Sequence, residues 1–431
     1  MEKLFKLKEH NTTVRREIVA GLTTFLTMAY ILAVNPFMLG EIGNGMTPGA
    51  VFTATVIASI IATLVMAFAA NLPVALAPGM GLNAFFTYTV VFTMGYSWQI
   101  ALTAVFLEGL LFIILSFFNV REAIVKAIPA NLKKAVAVGI GLFIALIGLK
   151  GAGIIVPNDA TLVSLGTITS GSALVAIIGI IITIALYANN VPGSILIGIL
   201  ATTIVGIPFG VTAIPEGFSP FSMPEAPLLF KFDFSAVLTI KFFTVFFTFF
   251  FVDIFDTVGT LVGVTEQAGL TDKNGDIPRV KQALLADAIG TVAGAALGTS
   301  TVTSYVESAS GVAAGGRTGL TSVSTSFFFL LALFLSPLFL LIPGAATAPA
   351  LVMVGFLMMK AVTDIDFADP TEGIPAFMTI IMMPFAYSIA EGIVYGLLSY
   401  VVLKLVTGKV KQISVITWIL FIVFILRFFI K

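Results

Sequence analysis

Long apolar runs joined by short polar connections dominate the chain from residue 16 onward. A helix needs about 20 apolar residues to cross a bilayer. Stretches of that kind fall at 16–36, 50–70, 74–93, 98–118, 133–150, 171–188, 192–207, 237–264, 281–298, 300–315, 319–342, 345–361, 374–389 and 391–407. These are fourteen, and a further run at 411–430 either crosses or lies against the bundle. Four of them, 74–93, 192–207, 300–315 and 374–389, are too short or too broken to be simple spans. The Pro-rich stretch 208–236 leaves seven candidates before it and seven after. An odd number per half inverts one half relative to the other, as in many secondary transporters. The pattern predicts an all-α polytopic membrane protein with a first repeat at 1–207, a connecting loop at 208–236, a second repeat at 237–410 and an extra segment at 411–431.

The third span of each predicted half is unusual. The first reads Leu72-Pro-Val-Ala-Leu-Ala-Pro-Gly-Met-Gly-Leu-Asn-Ala-Phe-Phe86, where two prolines and two glycines interrupt any continuous helix. The second reads Gly298-Thr-Ser-Thr-Val-Thr-Ser-Tyr-Val-Glu-Ser-Ala-Ser-Gly311, which is β-branched, rich in hydroxyls and carries a carboxylate. Backbone at membrane depth must find hydrogen bonds. Two short extended pieces followed by half-helices satisfy that need, with free amides and positive helix ends aimed at a shared midplane site. The alternative is that Pro and Gly only kink packed helices.

Composition narrows the class. Of 431 residues, 58% are hydrophobic and 10% charged, too few charges to coat a soluble globule of this size. There is no Cys and a single histidine, His10, so neither a disulfide framework nor a multi-His metal site is available. The formal net charge is +0, which offers nothing to a nucleic acid. No phosphate-binding Gly-Lys-Ser/Thr loop is present, which argues against ATP hydrolysis, and nothing calls for a cofactor.

Orientation follows from Lys and Arg in the connections. With the N-terminus inside, Lys3, Lys6, Lys8, Arg15, Arg16, Arg121, Lys126, Lys133, Lys134, Lys273, Arg279, Lys281, Arg317, Lys360, Lys404, Lys409 and Lys411 face the cytoplasm, which is 17 of the 22 cations. Only Lys150, Lys231 and Lys241 face outward; Arg427 and Lys431 belong to the tail.

Ionisable groups inside a bilayer cost at least ~2.5 kcal/mol each on insertion scales and usually serve function. Away from the ends of the apolar stretches, five carboxylates are read as lying inside the bilayer: Glu108, Asp253, Asp256, Asp287 and Glu307. Asp253 and Asp256 stand at i,i+3, on one helix face. Two carboxylates that close in a low dielectric do not both stay ionised, so one is expected to hold a proton. The competing reading ties one of them to backbone donors as structure. Glu307 lies in the second broken segment itself. Asp287 suits a supporting or coupling role as well as a packing hydrogen bond, and Glu108 leans towards structure. Asn83 follows the first break and offers both donor and acceptor to a heterocycle edge. Phe85, Phe86, Tyr88 and Tyr305 are candidates to stack on a planar ring, although 40 Phe make any one of them weak evidence.

Several blocks of the chain resemble a known family. Ala20-Gly-Leu-Thr-Thr-Phe-Leu-Thr-Met-Ala-Tyr-Ile-Leu-Ala-Val-Asn-Pro36 is similar to the opening signature of the AzgA-like purine permeases, a branch of the nucleobase–cation symporter 2 (xanthine/uracil permease) group. Ala77-Pro-Gly-Met-Gly-Leu-Asn-Ala-Phe-Phe86, Val252-Asp-Ile-Phe-Asp-Thr-Val-Gly-Thr260, Thr303-Ser-Tyr-Val-Glu-Ser-Ala-Ser-Gly311, Ile374-Pro-Ala-Phe-Met-Thr-Ile and Ala390-Glu-Gly-Ile follow in the same order. The resemblance implies a 7+7 inverted repeat, with spans 1–4 and 8–11 as a core and 5–7 and 12–14 as a gate. It implies binding positions at Gly81, Asn83, Asp253, Asp256 and Glu307, with Asp287 and Tyr305 in support. It further implies import of hypoxanthine, guanine or adenine across the cell membrane with protons. Sodium coupling, another base such as xanthine or uracil, a passive channel, and a homodimer all stay open at this point.

Overall fold

The structure is a computed structural model that describes residues 2–117, 129–169, 171–271 and 277–429. Arg121, Lys126, Lys273 and Lys431, used above for orientation, lie outside the described residues. The protein is a polytopic helical membrane protein. Among the described residues, nine helices are long and apolar enough to cross a membrane. Large apolar side chains such as Phe68, Ile114, Ile181, Phe243 and Phe356 stand exposed on them, where lipid rather than water is the fitting solvent.

The first span is two helices, α1 (Val14–Met28) and α2 (Ile31–Gly40), interrupted at Ala29 and Tyr30. Next come α3 (Pro48–Val65), whose N-terminus is capped by the Thr47 hydroxyl, and strand β1 (Leu76–Pro78). Helix α4 (Met80–Ala84) leads into a π-helical turn at Phe85–Thr93, and α5 (Trp98–Phe117) follows. The rest of the first part is α6 (Ala130–Gly151), strands β2 (Ile155–Asn158) and β3 (Leu162–Leu165), α7 (Gly171–Ala188) and α8 (Ser194–Gly206). After the long loop come α9 (Ile240–Gln267), α10 (Val280–Leu297), strand β4 (Val302–Ser304), α11 (Ser308–Ala313) and α12 (Gly319–Leu333). The chain ends with α13 (Ser336–Leu340), α14 (Gly344–Met359), α15 (Pro370–Phe385), α16 (Ile389–Val406) and α17 (Val415–Phe429).

The helices sort into two packed groups. In one, α1, α3, α5, α9, α10 and α12 surround β1 and β4. In the other, α6, α7, α8, α14, α15 and α16 pack together. The closest pairing in the second group is between α6 and α14. A Cβ on Gly141 would fall 2.8 Å from the Gly355 carbonyl oxygen, and one on Gly355 2.5 Å from that of Gly141. Only residues without side chains let two membrane helices approach so nearly.

Three features depart from the sequence reading. The 319–342 stretch is not one span but α12, a turn near Phe334 and the short α13. The β2–β3 hairpin was not anticipated, since its four-residue strands carry too few positions for alternation to register. Lys404 of α16, placed above among the cations that face the cytoplasm, is buried: it is paired with Glu372 at 2.8 Å and donates to Thr371 Oγ1 at 2.9 Å and Gln412 Oε1 at 2.7 Å. The extra segment α17 packs on α16, and Phe424 meets Phe247 of α9 edge to face at 5.7 Å between ring centroids.

Candidate functional site

The two interrupted segments meet at the centre of the first group. β1 and β4 pair antiparallel, with Leu76 opposite Ser304, Ala77 opposite Thr303 and Pro78 opposite Val302. The pairing extends on both sides, from Gly79 N–H to Thr301 O (2.9 Å) and from Tyr305 N–H to Ala75 O (2.9 Å). Two strands of three residues leave backbone groups over, and threonine hydroxyls from neighbouring helices take them. Thr63 of α3 accepts from Leu76 N–H at 2.9 Å and donates to Leu76 O at 3.2 Å. Thr291 of α10 accepts from Val302 N–H at 3.3 Å and donates to Val302 O at 3.1 Å. Glu108 accepts from Thr301 Oγ1 at 3.0 Å, in keeping with its structural reading.

Beyond β4 the chain turns at Glu307, which precedes α11. The Tyr30 hydroxyl, from the interruption in the first span, donates to Glu307 Oε1 at 2.6 Å. Asp256, on α9, accepts from Thr303 Oγ1 at 3.4 Å. Asp256 and Glu307 both line a cavity of about 560 Å³ between the two helix groups. Its other wall is apolar, formed by Val136 and Ile140 of α6 and Val354 and Met358 of α14, and Lys133 and Lys134 stand at the α6 end. Such a cavity, with apolar walls and few polar groups, is of ordinary size for a small-molecule site.

The remaining candidates fall elsewhere. Asp253 is fully buried and does not line the cavity. The Thr257 hydroxyl lies 3.4 Å from Asp253 Oδ1 and also bonds Asp287, so Thr257 stands between these two acids. A Cβ on Gly81 would fall 2.7 Å from Ile140 Cγ2, so this glycine serves close contact between the two helix groups. Gly79 is the glycine beside the acids: a Cβ there would fall 2.9 Å from Thr303 Oγ1 and 3.5 Å from Asp256 Oδ2. Asn83 is fully buried, with Nδ2 at 3.4 Å from Pro78 O and Oδ1 without a partner among the described residues. Tyr305 spends its hydroxyl on Pro78 O at 2.6 Å.

The aromatic candidates also sit off the cavity. Phe85 and Phe86 pack on Phe249, with centroids 4.9 and 6.4 Å away. Tyr88 donates to Glu41 at 3.0 Å and meets Tyr387, whose ring lies under Lys150 at 4.7 Å. Tyr30 and the clamping threonines escaped the sequence reading as site residues, because hydroxyls are common in membrane helices and carry no spacing signature; Gly79 figures there only as part of the break. Glu17 escaped it too. It looks like the end of a polar leader, yet it is buried and accepts from Arg317 N–H (3.0 Å), Thr318 Oγ1 (2.8 Å) and Thr321 Oγ1 (2.7 Å) at the start of α12.

The sequence profile of the permease family typified by xanthine and uracil permeases matches residues 15–395. The chain belongs to this permease family. Adenine permease AdeP of Escherichia coli is 45% identical over 99% of this chain and 95% of its own. Guanine/hypoxanthine permease PbuG of Bacillus subtilis is 46% identical over 99% of each chain. A putative permease of Methanocaldococcus jannaschii is 52% identical over 99% of this chain and 98% of its own. Among solved structures, the transmembrane domain of the cyanobacterial bicarbonate transporter BicA superposes with a TM-score of 0.66 at 16% identity, over 88% of this chain and 97% of that one. That likeness is one of fold. The permease is thus a multi-pass membrane transport protein, and its relatives are permeases rather than enzymes.

Proposed function

We propose that this permease imports purine nucleobases across the cell membrane by proton symport. The observation that carries the reading is the cavity between the helix groups, with Asp256 and Glu307 on one wall and aliphatic side chains on the other. A purine is a flat ring with N–H donors along its edge. Carboxylates accept from that edge, and aliphatic walls cover the ring faces. The names of the relatives, which are adenine and guanine/hypoxanthine permeases, favour the same substrate class.

In this reading the chain has fourteen segments in two inverted repeats, 1–207 and 237–410, with the N-terminus in the cytoplasm. The group around β1 and β4 is the core and moves against the other group, the gate. A carboxyl in the core takes up a proton outside and releases it inside, which couples the base to the gradient. Asp256 and Glu307 face the base, and Asp253, Thr257 and Asp287 form a buried acidic pair behind it that can share the proton.

The test is uptake of labelled adenine, guanine, hypoxanthine, xanthine and uracil in cells lacking their own purine permeases. The expected result is saturable uptake of purines that collapses with a protonophore at constant sodium. Uptake that follows sodium instead overturns the proton reading, non-saturable flux favours a channel, and a preference for xanthine or uracil overturns the substrate assignment.

A further inference from the structure

Tyr30 stands out among groups that the proposed mechanism does not use. Its side chain is almost wholly buried, at 1% exposure, in the interruption between α1 and α2. A buried phenol needs a partner for its single O–H. Tyr30 spends it on Glu307 Oε1 at 2.6 Å. The carboxylate also takes a hydrogen bond from its own backbone N–H, so Tyr30 is the donor that reaches it from another span. The neighbouring Thr27 hydroxyl reaches only the Glu307 carbonyl, at 3.4 Å. So the one acid that belongs to the turn after β4 and also lines the cavity is held by a residue of a different span.

Tyr305 makes the comparison. The two tyrosine rings lie 6.5 Å apart, in one cluster. Tyr305 donates to a backbone carbonyl, Pro78 O, and so braces β1. Tyr30 donates to a side chain, Glu307, and so bears on its orientation. A carboxylate has two oxygens. A donor that engages one of them directs the other, and a charge-assisted bond is about twice as strong as a neutral one.

We propose that Tyr30 is a positioning residue that holds Glu307 Oε1, so that the second carboxylate oxygen meets the N–H edge of the base. The substrate class rests on the purine reading above; the hold on Glu307 does not. It follows that the interruption in the first span is part of the site. It brings a phenol to the acid without adding a second charge. It also makes recognition depend on the packing of α1 and α2 against the turn at Glu307.

The experiment uses the full chain in proteoliposomes, as wild type, Tyr30→Phe, Glu307→Gln and the double variant. Infrared difference spectra locate the carboxyl and carboxylate bands that Glu307→Gln removes. In Tyr30→Phe those bands should shift, because the carboxylate loses its donor. The half-saturating concentration for adenine, guanine or hypoxanthine should rise roughly 10- to 100-fold with little change in maximal rate, the worth of one hydrogen bond to a charged group. In the Glu307→Gln background, Tyr30→Phe should add little to whatever binding loss remains. Unmoved bands overturn the proposal whatever the protein transports. So does a fall in maximal rate at unchanged half-saturation, which is the mark of a packing role. Bands that shift in a protein taking up no purine leave the hold on Glu307 standing and refute the purine reading instead.

Discussion

The two interrupted segments share a geometry and differ in chemistry. Each contributes a three-residue strand, each strand is clamped by one threonine from a neighbouring helix, and each is followed by a short helix. The first segment, however, contains no ionisable side chain between Leu72 and Phe86, and its breaks come from proline and glycine. The second has neither residue between Thr299 and Ser310 and carries Glu307. One segment supplies backbone that can approach closely; the other supplies the charge. A chain can be bent in the membrane by removing side chains, or by offering the freed backbone hydroxyl partners. Only the second route leaves room for a carboxylate at the bend.

Charge removal tests this division most sharply. Glu307→Gln keeps the shape and removes the charge. Purine affinity should fall by ~1.5–3 kcal/mol, the worth of a hydrogen bond to a charged group. Normal affinity and uptake in a well-expressed variant would move the recognition chemistry to Asp256 or out of the segment altogether.

Backbone approach is the next test. Gly79→Ala puts a methyl 2.9 Å from Thr303 Oγ1 and 3.5 Å from Asp256 Oδ2, so it should disturb the acid and impair binding. Gly81→Val presses on Ile140 instead, across the boundary between the helix groups. It should cut transport, and Ile140→Ala should partly restore it. Equal losses at both glycines without rescue would mean that the first segment only kinks.

The clamps should be alike in size. Thr63→Val and Thr291→Val each leave a buried backbone N–H and C=O without the hydroxyl, at a cost of ~1–3 kcal/mol. Melting of the two purified variants measures this. A clear difference would show that one segment is held chiefly by its strand partner.

The smallest effect is expected at Asn83. Its Nδ2 contact with Pro78 O is long, at 3.4 Å, and its side chain does not line the cavity. Asn83→Ala should change affinity several-fold at most, or shift the preference among adenine, guanine and hypoxanthine in competition assays. Complete loss of binding would return Asn83 to direct contact with the base.

The apolar runs, the two interruptions and the acids within them were legible in the sequence, because the bilayer imposes its demands locally. A span must be apolar over about 20 residues, an interruption must carry residues that break helices or satisfy backbone, and an acid at that depth stands out against its neighbours. Gly81, Asn83 and Asp253 could be marked as unusual on those grounds, but not assigned a direction to face. Which surface a residue presents depends on helix rotation and on partners far along the chain. Tyr30 and Glu307 are 277 positions apart, and Thr257 and Asp287 are 30 apart. Tertiary packing alone therefore decided that Asp256 rather than Asp253 reaches the cavity, that Gly79 rather than Gly81 lies beside the acids, and that a tyrosine of the first span holds the glutamate of the second interruption. Hydrogen-bond partners in a membrane core are chosen by proximity in three dimensions, and short-range sequence patterns carry no record of it.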